Sequence, residues 1–408
     1  MIDSEKIVEQ PAKEMPQMRT VMLRMTNLRL HASGVFSNVY RDFDNAWKKP
    51  IPSISTTPIS QFLSWFRYRG TLLEPAPQRE IAIKKTWPEN RERNFEMLFL
   101  TGIGRKPHKN VVQMIFAFSN RSGKHDRASG FNSLFFYLVF FVYTAWLVSL
   151  LQYPMEKCMF LLCESFVFEF LPDTLASVIK REKLDTTDIK LYAWQLFNGL
   201  RYLSSHSIVH RDIKPMNVLL DHLVGLLKIG DFGSAKTVRK VAKSTAYQVS
   251  NFAKHYTFHK CRVTRFYRPP ELLLGAEYYN WTVVLRVDGL KCSSFLDVWS
   301  AGCVLGEMIR GKVLFPGRHR KHQLKLIFLS IGSPTAEDVK VMRVPTEIIF
   351  DGYVVVGTGL GMLCPNADPH LIGILSKILV YPPKERLHGR GLLLHPAFDS
   401  ILQLINDL

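Results

Sequence analysis

Cysteine is sparse and unpaired in this 408-residue sequence. The six residues Cys158, Cys163, Cys261, Cys292, Cys303 and Cys364 form no CxxC pair. That spacing excludes a disulfide scaffold and a structural zinc ribbon, and it points to a reducing interior. The first residues, MIDSEKIVEQPAKEMPQ, carry acidic side chains and no apolar stretch, so no secretory signal is expected. No self-similarity recurs at periods of 20 to 50 residues, which argues against a solenoid. Acidic residues are under-represented, with 35 Asp plus Glu against 53 Lys plus Arg, a formal charge of +18. Such a surface attracts phosphates and acidic partners without choosing between nucleic acid, membrane and phosphorylated ligands. What the sequence does have is apolar content, 47%, enough to bury a sizeable core.

Residues 1–25 are polar and read as a tail. From Asn27 to Phe118 the runs LRLHASGVFSNVYR and EIAIKKTW read as strands, and NRERNFEMLFLTG reads as a helix. After Thr186 the apolar positions Ile189, Tyr192, Leu196, Leu200 and Leu203 take helical spacing behind a capped start. Further helices are expected at 296–310, 321–331, 369–380 and 396–407. The expected fold class is α+β, with a β-rich N-terminal part and a mainly helical C-terminal part.

The most specific segment is His210-Arg211-Asp212-Ile213-Lys214-Pro215-Met216-Asn217, followed nineteen residues after Asp212 by Asp231-Phe232-Gly233. Moving a phosphoryl group requires a carboxylate to orient the acceptor, oxygen ligands for a metal that bridges the phosphates, and cations to offset the spreading charge. These loops supply all three. Asp212 serves as the carboxylate, Asn217 and Asp231 as Mg²⁺ ligands, and Lys214 as the cation beside the transferring group.

At these residues the chain resembles the eukaryotic protein kinases. Ile81-Ala82-Ile83-Lys84 matches the strand whose lysine pairs with the nucleotide phosphates, and Glu96 matches its partner. Pro269-Pro270-Glu271 stands where the family has Ala-Pro-Glu, with Arg386 as the partner of Glu271. Asp297-Val298-Trp299 matches the helix that braces the catalytic loop. Lys214 is the serine/threonine-specific mark. Asp231-Phe232-Gly233-Ser234-Ala235-Lys236, Tyr267-Arg268-Pro269-Pro270-Glu271 and Phe315-Pro316-Gly317 are similar to the glycogen synthase kinase-3 branch of the CMGC group.

The resemblance implies a bilobal fold: an N-lobe over 26–170 and a C-lobe over 171–408. It implies ATP and Mg²⁺ as cosubstrate and cofactor, and protein substrates, phosphorylated or acidic ones among them. Neither nucleic acid nor a membrane is an expected partner, and the expected compartments are the cytoplasm and the nucleus. Ala32, Gly34, Val39 and Ala82 are implied around the nucleotide, with Phe168 as gatekeeper and Glu169 and Leu171 in the hinge. Tyr247 falls at an activation-segment tyrosine, with Arg265 and Arg268 as nearby cations.

Two departures stand out. The Gly-rich loop keeps only Gly34, with Ala32 and Ser37 at its outer positions. A Cβ there limits backbone approach to phosphate, so weaker nucleotide binding is expected. The family reads a substrate phosphate with three cations; Arg211 and Lys236 are present, and Phe95 takes the third place, which removes one arm.

Four intervals between motifs are too long, and insertions are placed at about 42–69, 129–156, 249–262 and 283–295. The second contains Leu134–Leu151, eighteen uncharged residues. Read as a membrane span, it would put Lys84 and Asp212 on opposite faces of a bilayer, incompatible with a kinase. Three weaker patterns are set aside: the glycines 357, 359 and 361 lack a βαβ unit, His255, His259 and Cys261 lack a fourth zinc ligand, and the basic run Arg310–Lys325 lacks stacking aromatics. The reading is an active serine/threonine kinase; the alternative is a catalytically impaired kinase-fold scaffold, motivated by Ala32, Ser37 and the insertions.

Overall fold

The computed structural model describes residues 7–34, 65–86, 95–121, 162–237, 265–275, 295–342, 344, 354–402 and 404. By internal contacts the chain divides into a strand-rich unit, Met1–Lys106 with Gln113–Phe170, and a helical unit, Pro107–Val112 with Leu171–Leu408.

The strand-rich unit is one antiparallel sheet of β1 (Val8–Glu14), β2 (Arg19–Gly34), β3 (Trp65–Glu74), β4 (Arg79–Thr86), β5 (Met114–Arg121) and β6 (Leu162–Glu169), with helix α1 (Phe95–Gly104). The order is β1-β2-β3-β4-β6-β5, and β5 returns to β1 through Lys13↔Ala117 and Glu14↔Phe116, which closes the sheet. Closure removes the exposed edges that would otherwise template pairing with other chains. Alternation along the strands sends Leu23, Met25, Leu72, Ile81, Ile83, Phe116 and Val167 inward as one core.

Two expectations fail here. The supposed tail contains β1 and the first half of β2, paired from Val8↔Met25 to Glu14↔Arg19. Only Ala12 of β1 is buried, so the strand is held by backbone pairing rather than by an apolar pattern that sequence reading could detect. The 42–69 insertion also reaches too far. Residues 65–69 belong to β3, with Arg67 opposite Lys84 and Arg69 opposite Ala82, and Gly34 opposite Trp65. The boundary was misplaced because Tyr40-Arg41 duplicates Tyr68-Arg69 in front of Gly70, so the excision looked seamless.

In the helical unit, α2 (Leu175–Arg181) and α3 (Thr186–Ser205) follow the short strand β7 (Asp173–Thr174). Asp185 caps α3 by accepting the Asp188 N–H at 2.7 Å. The predicted apolar face of α3, Ile189 through Leu203, is buried. Strands β8 (Ile208–Val209), β9 (Val218–Asp221), β10 (Leu226–Ile229) and β11 (Lys236–Thr237) flank the loops that carry the chemistry. The sheets are β10-β9-β7 and β11-β8.

Helices α4 (Pro270–Leu273), α5 (Phe295–Arg310), α6 (Arg320–Ile331), α7 (Ala336–Met342), α8 (Leu360–Leu363), α9 (Pro369–Ile378) and α10 (Gly389–Leu393) complete the unit. Phe295, assigned to an insertion, is the first residue of α5 and is buried against His388. The helix expected at 396–407 is a 3₁₀ turn, Pro396–Ile401. Phe398 and Ile401, three apart and both buried, match its tighter period.

Asn110 ties the 107–112 segment to the unit. Its Nδ2 donates to Gln195 at 2.8 Å and to the Leu227 carbonyl at 3.0 Å, and its Oδ1 accepts from Asn198 at 3.0 Å. Gly199 of α3 permits the approach: a Cβ there would meet Ile229 at 2.8 Å and the Asn110 carbonyl at 2.9 Å. The glycines 357 and 359 serve packing. The N–H groups of Thr358 and Gly359 donate to the Leu329 and Ser330 carbonyls near the C-terminal end of α6, and only the one-turn α8 follows. Among the described residues no helix is long and apolar enough to cross a membrane; 134–151 and the 129–156 and 249–262 segments lie outside them, as do His255, His259 and Cys261.

Candidate active site

In the strand-rich unit, β4 carries Lys84 and the first turn of α1 carries Glu96. Lys84 Nζ donates to both carboxylate oxygens, at 2.7 and 2.9 Å. Both side chains are about nine-tenths covered. A buried ion pair contributes little net stability, because desolvation offsets the attraction; what it fixes is where the lysine ammonium stands. Neighbouring register places Ala82 opposite Phe168 and Ile81 opposite Glu169, so the adjacent strands β4 and β6 bring Ala82, Lys84, Phe168 and Glu169 onto one patch of sheet. The Glu169 carboxylate accepts the Gln113 N–H at 3.4 Å. Ala32 and Gly34 lie on β2, paired with Arg67 and Trp65. Val39 and Ser37 are outside the described residues, as is Tyr247; Phe95 opens α1.

In the helical unit the loop between β8 and β9 is built around Asp297. This buried carboxylate accepts the backbone N–H of His210 at 2.7 Å and of Arg211 at 2.8 Å, one on each oxygen. Burial pushes its pKa up, while His210, Arg211 and the two N–H bonds pull it back. Arg211 takes a left-handed conformation, φ 67°, a strain of roughly 1 to 3 kcal/mol for a residue with a Cβ. Its Nε bond to the Ser234 carbonyl, 2.6 Å, helps to hold it there.

His210 is fully buried and donates Nε2–H to the Gly230 carbonyl at 2.8 Å, while its Nδ1 accepts the Asp212 N–H at 3.3 Å. Its ring meets Phe232 edge-on at 5.1 Å. The His of the first motif thereby fastens that loop to the Asp-Phe-Gly of the second.

The motif side chains converge. Lys214 Nζ donates to Asp212 Oδ2 at 2.7 Å, and Asn217 Nδ2 donates to the same oxygen at 3.0 Å and to the Asp212 carbonyl at 2.8 Å. The Gly230 N–H bonds the Asn217 carbonyl at 2.9 Å, which places Asp231, itself left-handed at φ 62°, beside Asn217. The predicted residues Asp212, Lys214, Asn217 and Asp231 are thus brought together. Leu171 opens this unit, away from them in sequence.

Arg211 and Lys236 also meet. Lys236 sits on β11 opposite Val209, and burial together with the nearby Arg211 lowers its pKa. The expected bond between Glu271 and Arg386 is present and bidentate, at 2.9 and 2.7 Å, with the guanidinium 4.9 Å from the Trp299 ring centroid.

Sequence reasoning did not find the Tyr267 hydroxyl donating to Glu307 at 2.6 Å, with Ser300 Oγ donating to the Tyr267 carbonyl at 2.8 Å. Both ends lie within motifs or the α5 helix, but no local spacing links them across forty positions.

A family model for the protein kinase domain matches residues 147–398. Among similar proteins, a putative serine/threonine-protein kinase gskl-1 of Caenorhabditis elegans is 30% identical over 338 residues, covering 82% of this chain and 75% of its own. The protein kinase gsk31 of Schizosaccharomyces pombe is 29% identical over 327 residues, 79% and 69% of the two chains. Glycogen synthase kinase 1 of Pyricularia oryzae is 34% identical over 242 residues, 58% of this chain and 54% of that one. The match thus spans about half the length of the third relative. The chain belongs to the protein kinase family, as a serine/threonine kinase of the glycogen synthase kinase branch.

Proposed function

We propose that this chain transfers the γ-phosphoryl group of Mg-ATP to serine or threonine hydroxyls of protein substrates, with Asp212 as the carboxylate that orients the acceptor and takes its proton. The acceptor oxygen forms a bond to phosphorus as the bond to the ADP oxygen breaks, and Lys214 offsets the charge on the moving group. The observation that carries this reading is the convergence of Lys214 and Asn217 on one oxygen of Asp212, at 2.7 and 3.0 Å. The carboxylate plane is set before an acceptor arrives, and pre-set geometry is where most of the rate advantage of such transfers comes from.

Magnesium neutralises phosphate charge in this chemistry. Asn217 and Asp231 are its protein donors in this reading, and the donor set fits, since both supply hard oxygens. Asn217 commits its Nδ2 to Asp212, which leaves Oδ1 as the end that faces a cation. Lys84, oriented by Glu96, serves the nucleotide phosphates. Ala32, Gly34, Val39, Ala82, Phe168, Glu169 and Leu171 complete the nucleotide-binding set, and Tyr247 is the regulatory position. The strand-rich and helical units are read as the N-lobe and C-lobe, working in cytoplasm and nucleus. Arg211 and Lys236 receive a substrate phosphate with one arm fewer than the family uses.

Asp212→Asn tests the assignment. It should lower kcat by several orders of magnitude and leave nucleotide affinity unchanged, because the carboxylate acts on the acceptor. Loss of turnover and of nucleotide binding in equal measure would overturn it.

A further inference from the structure

From Met308 to Ala336 the sequence has six Lys or Arg residues and neither Asp nor Glu. The carboxylates nearest in the motifs are engaged, Glu271 by Arg386 and Glu307 by Tyr267. Like charges gathered along one stretch repel one another, so such a run persists where something offsets the field.

The structure makes this run into a built surface. Segment 265–273 and segment 317–323 are stitched together by side chains. Gln323, fully buried, accepts the Gly317 N–H at 3.0 Å and donates to the Phe266 carbonyl at 3.4 Å. The Gly317 turn lies so close that a Cβ there would stand 2.6 Å from the Gln323 Cα. Arg265 donates to the Gly317 and Arg318 carbonyls, at 3.4 and 2.5 Å, and Arg320 donates Nε to the Leu273 carbonyl.

The contacts printed in that seam are to neutral carbonyls, so they position Arg265 and Arg320 without cancelling their charge. A guanidinium has five N–H donors. Arg318 and Lys321 project beside them, exposed. His322 accepts the Arg318 N–H on Nδ1 at 3.1 Å, and His319 accepts the His322 N–H on Nδ1 at 3.3 Å. Each neutral ring therefore carries its proton on Nε2, adding donors to the same face. Burial and the neighbouring Arg268 lower the pKa of Arg320; an anion beside these cations would relieve that repulsion.

We propose that the surface formed by Arg265, Arg318, Arg320 and Lys321 docks an anionic segment of the protein substrate, rich in carboxylates or phosphoryl groups. It rests on the reading of the chain as a protein kinase and names the kind of segment it recruits. The basic run, assigned from sequence to a solvated face or an acidic-substrate patch, gains a defined geometry. Rigid arginines anchored on carbonyls suit recognition of carboxylate and phosphate forks better than flexible lysines do.

The test uses the full chain and three fluorescent peptides with one serine-containing core: a neutral tail, an Asp/Glu tail, and a tail of the same length carrying phosphoserines. Anisotropy without nucleotide reads docking, and phosphorylation with Mg-ATP is followed in parallel. Either charged tail should bind about tenfold tighter than the neutral one, and 0.5 M salt should remove most of that advantage. The double variant Arg318→Gln/Lys321→Gln should lose about fivefold on the charged tails and nothing on the neutral one. The better of the two tails identifies carboxylate or phosphoryl as the source.

Equal binding of all three peptides, or a variant that keeps its preference, would overturn the site. So would a single-stranded RNA that binds more tightly than either tail through the same residues. Docking of the tails without phosphoryl transfer would leave this surface standing and sink the kinase reading; transfer without tail preference would do the reverse.

Discussion

Tyr267 donates its hydroxyl to the Glu307 carboxylate at 2.6 Å, and both side chains are buried. The bond ties the segment just before Glu271 to helix α5. Burial raises the Glu307 pKa above its usual 4.5, and the Tyr267 hydroxyl pulls it partly back. Because the folded pKa is raised, the folded chain holds a proton that the unfolded chain has lost. Stability from this group is complete below the ordinary carboxylate range and falls as pH rises through the raised value. Tyr267→Phe removes the bond that favours the charged form, which should cost about 1 to 3 kcal/mol at neutral pH and extend the decline to higher pH. Melting temperatures between pH 4.5 and 7.5 for wild type, Tyr267→Phe and Glu307→Gln check this, with Glu307→Gln expected to lack the slope.

Asp297→Asn should uncouple stability from turnover. An amide has one acceptor oxygen, so it cannot serve both the His210 and Arg211 N–H groups, and its NH₂ would face a donor. With about 1.5 to 3 kcal/mol lost with a charge-assisted bond, the fold should survive. Arg211 would lose part of what holds its left-handed backbone, and Asp212 would lose its fixed direction. The expected outcome is a drop in kcat far larger than the drop in melting temperature would explain; matching losses would mean that Asp297 acts on global stability alone.

Breaking the buried Glu271–Arg386 pair should be severe. Arg386→Leu leaves a carboxylate without its partner, and Glu271→Leu leaves a guanidinium that is completely buried. Each should cost roughly 3 to 5 kcal/mol, and the double variant less than the sum of the two. Urea denaturation of the three variants measures the coupling.

The sequence was most readable where chemistry demands particular side chains in a particular order. Asp212, Lys214, Asn217 and Asp231 could be named because orienting a hydroxyl and holding a metal leave few alternatives, and the loop spacing is short. The apolar face of α3, from Ile189 to Leu203, was readable because one period governs it. What escaped were relations with no local period. Strand β1 buries only Ala12 and depends on pairing with β2. Asn110 meets Gln195 and Asn198 across 85 and 88 positions, and nothing near Asn110 announces those partners. The 42–69 boundary failed for a different reason: the repeated Tyr-Arg pair made two joins look equally continuous.

That repeat leads to a test of the first insertion. Gly34 and Trp65 are register partners at the open end of the β2–β3 pair, so any deletion between them must leave a loop that reverses the chain. Removing 42–64 leaves the seven residues 35–41 to do so and retains the strand from Trp65 onward. Hairpin loops of two to five residues are common and longer ones are tolerated at small entropic cost. Removing 42–69 instead substitutes Ser37 to Arg41 for Trp65 to Arg69 and leaves Val35-Phe36 as the connection. A two-residue hairpin loop needs left-handed or glycine-compatible backbone, which a β-branched residue followed by phenylalanine resists. The strand would also exchange Arg67, opposite Lys84, for Val39. The shorter deletion should therefore keep the melting temperature of the full chain or raise it, and the longer one should lower it by several degrees, about 4 to 8 °C for each 1 kcal/mol in a domain of 60 to 100 residues. Thermal denaturation of both deletions decides between the boundaries, and a longer deletion as stable as the shorter would show that Trp65–Arg69 can be replaced by Ser37–Arg41.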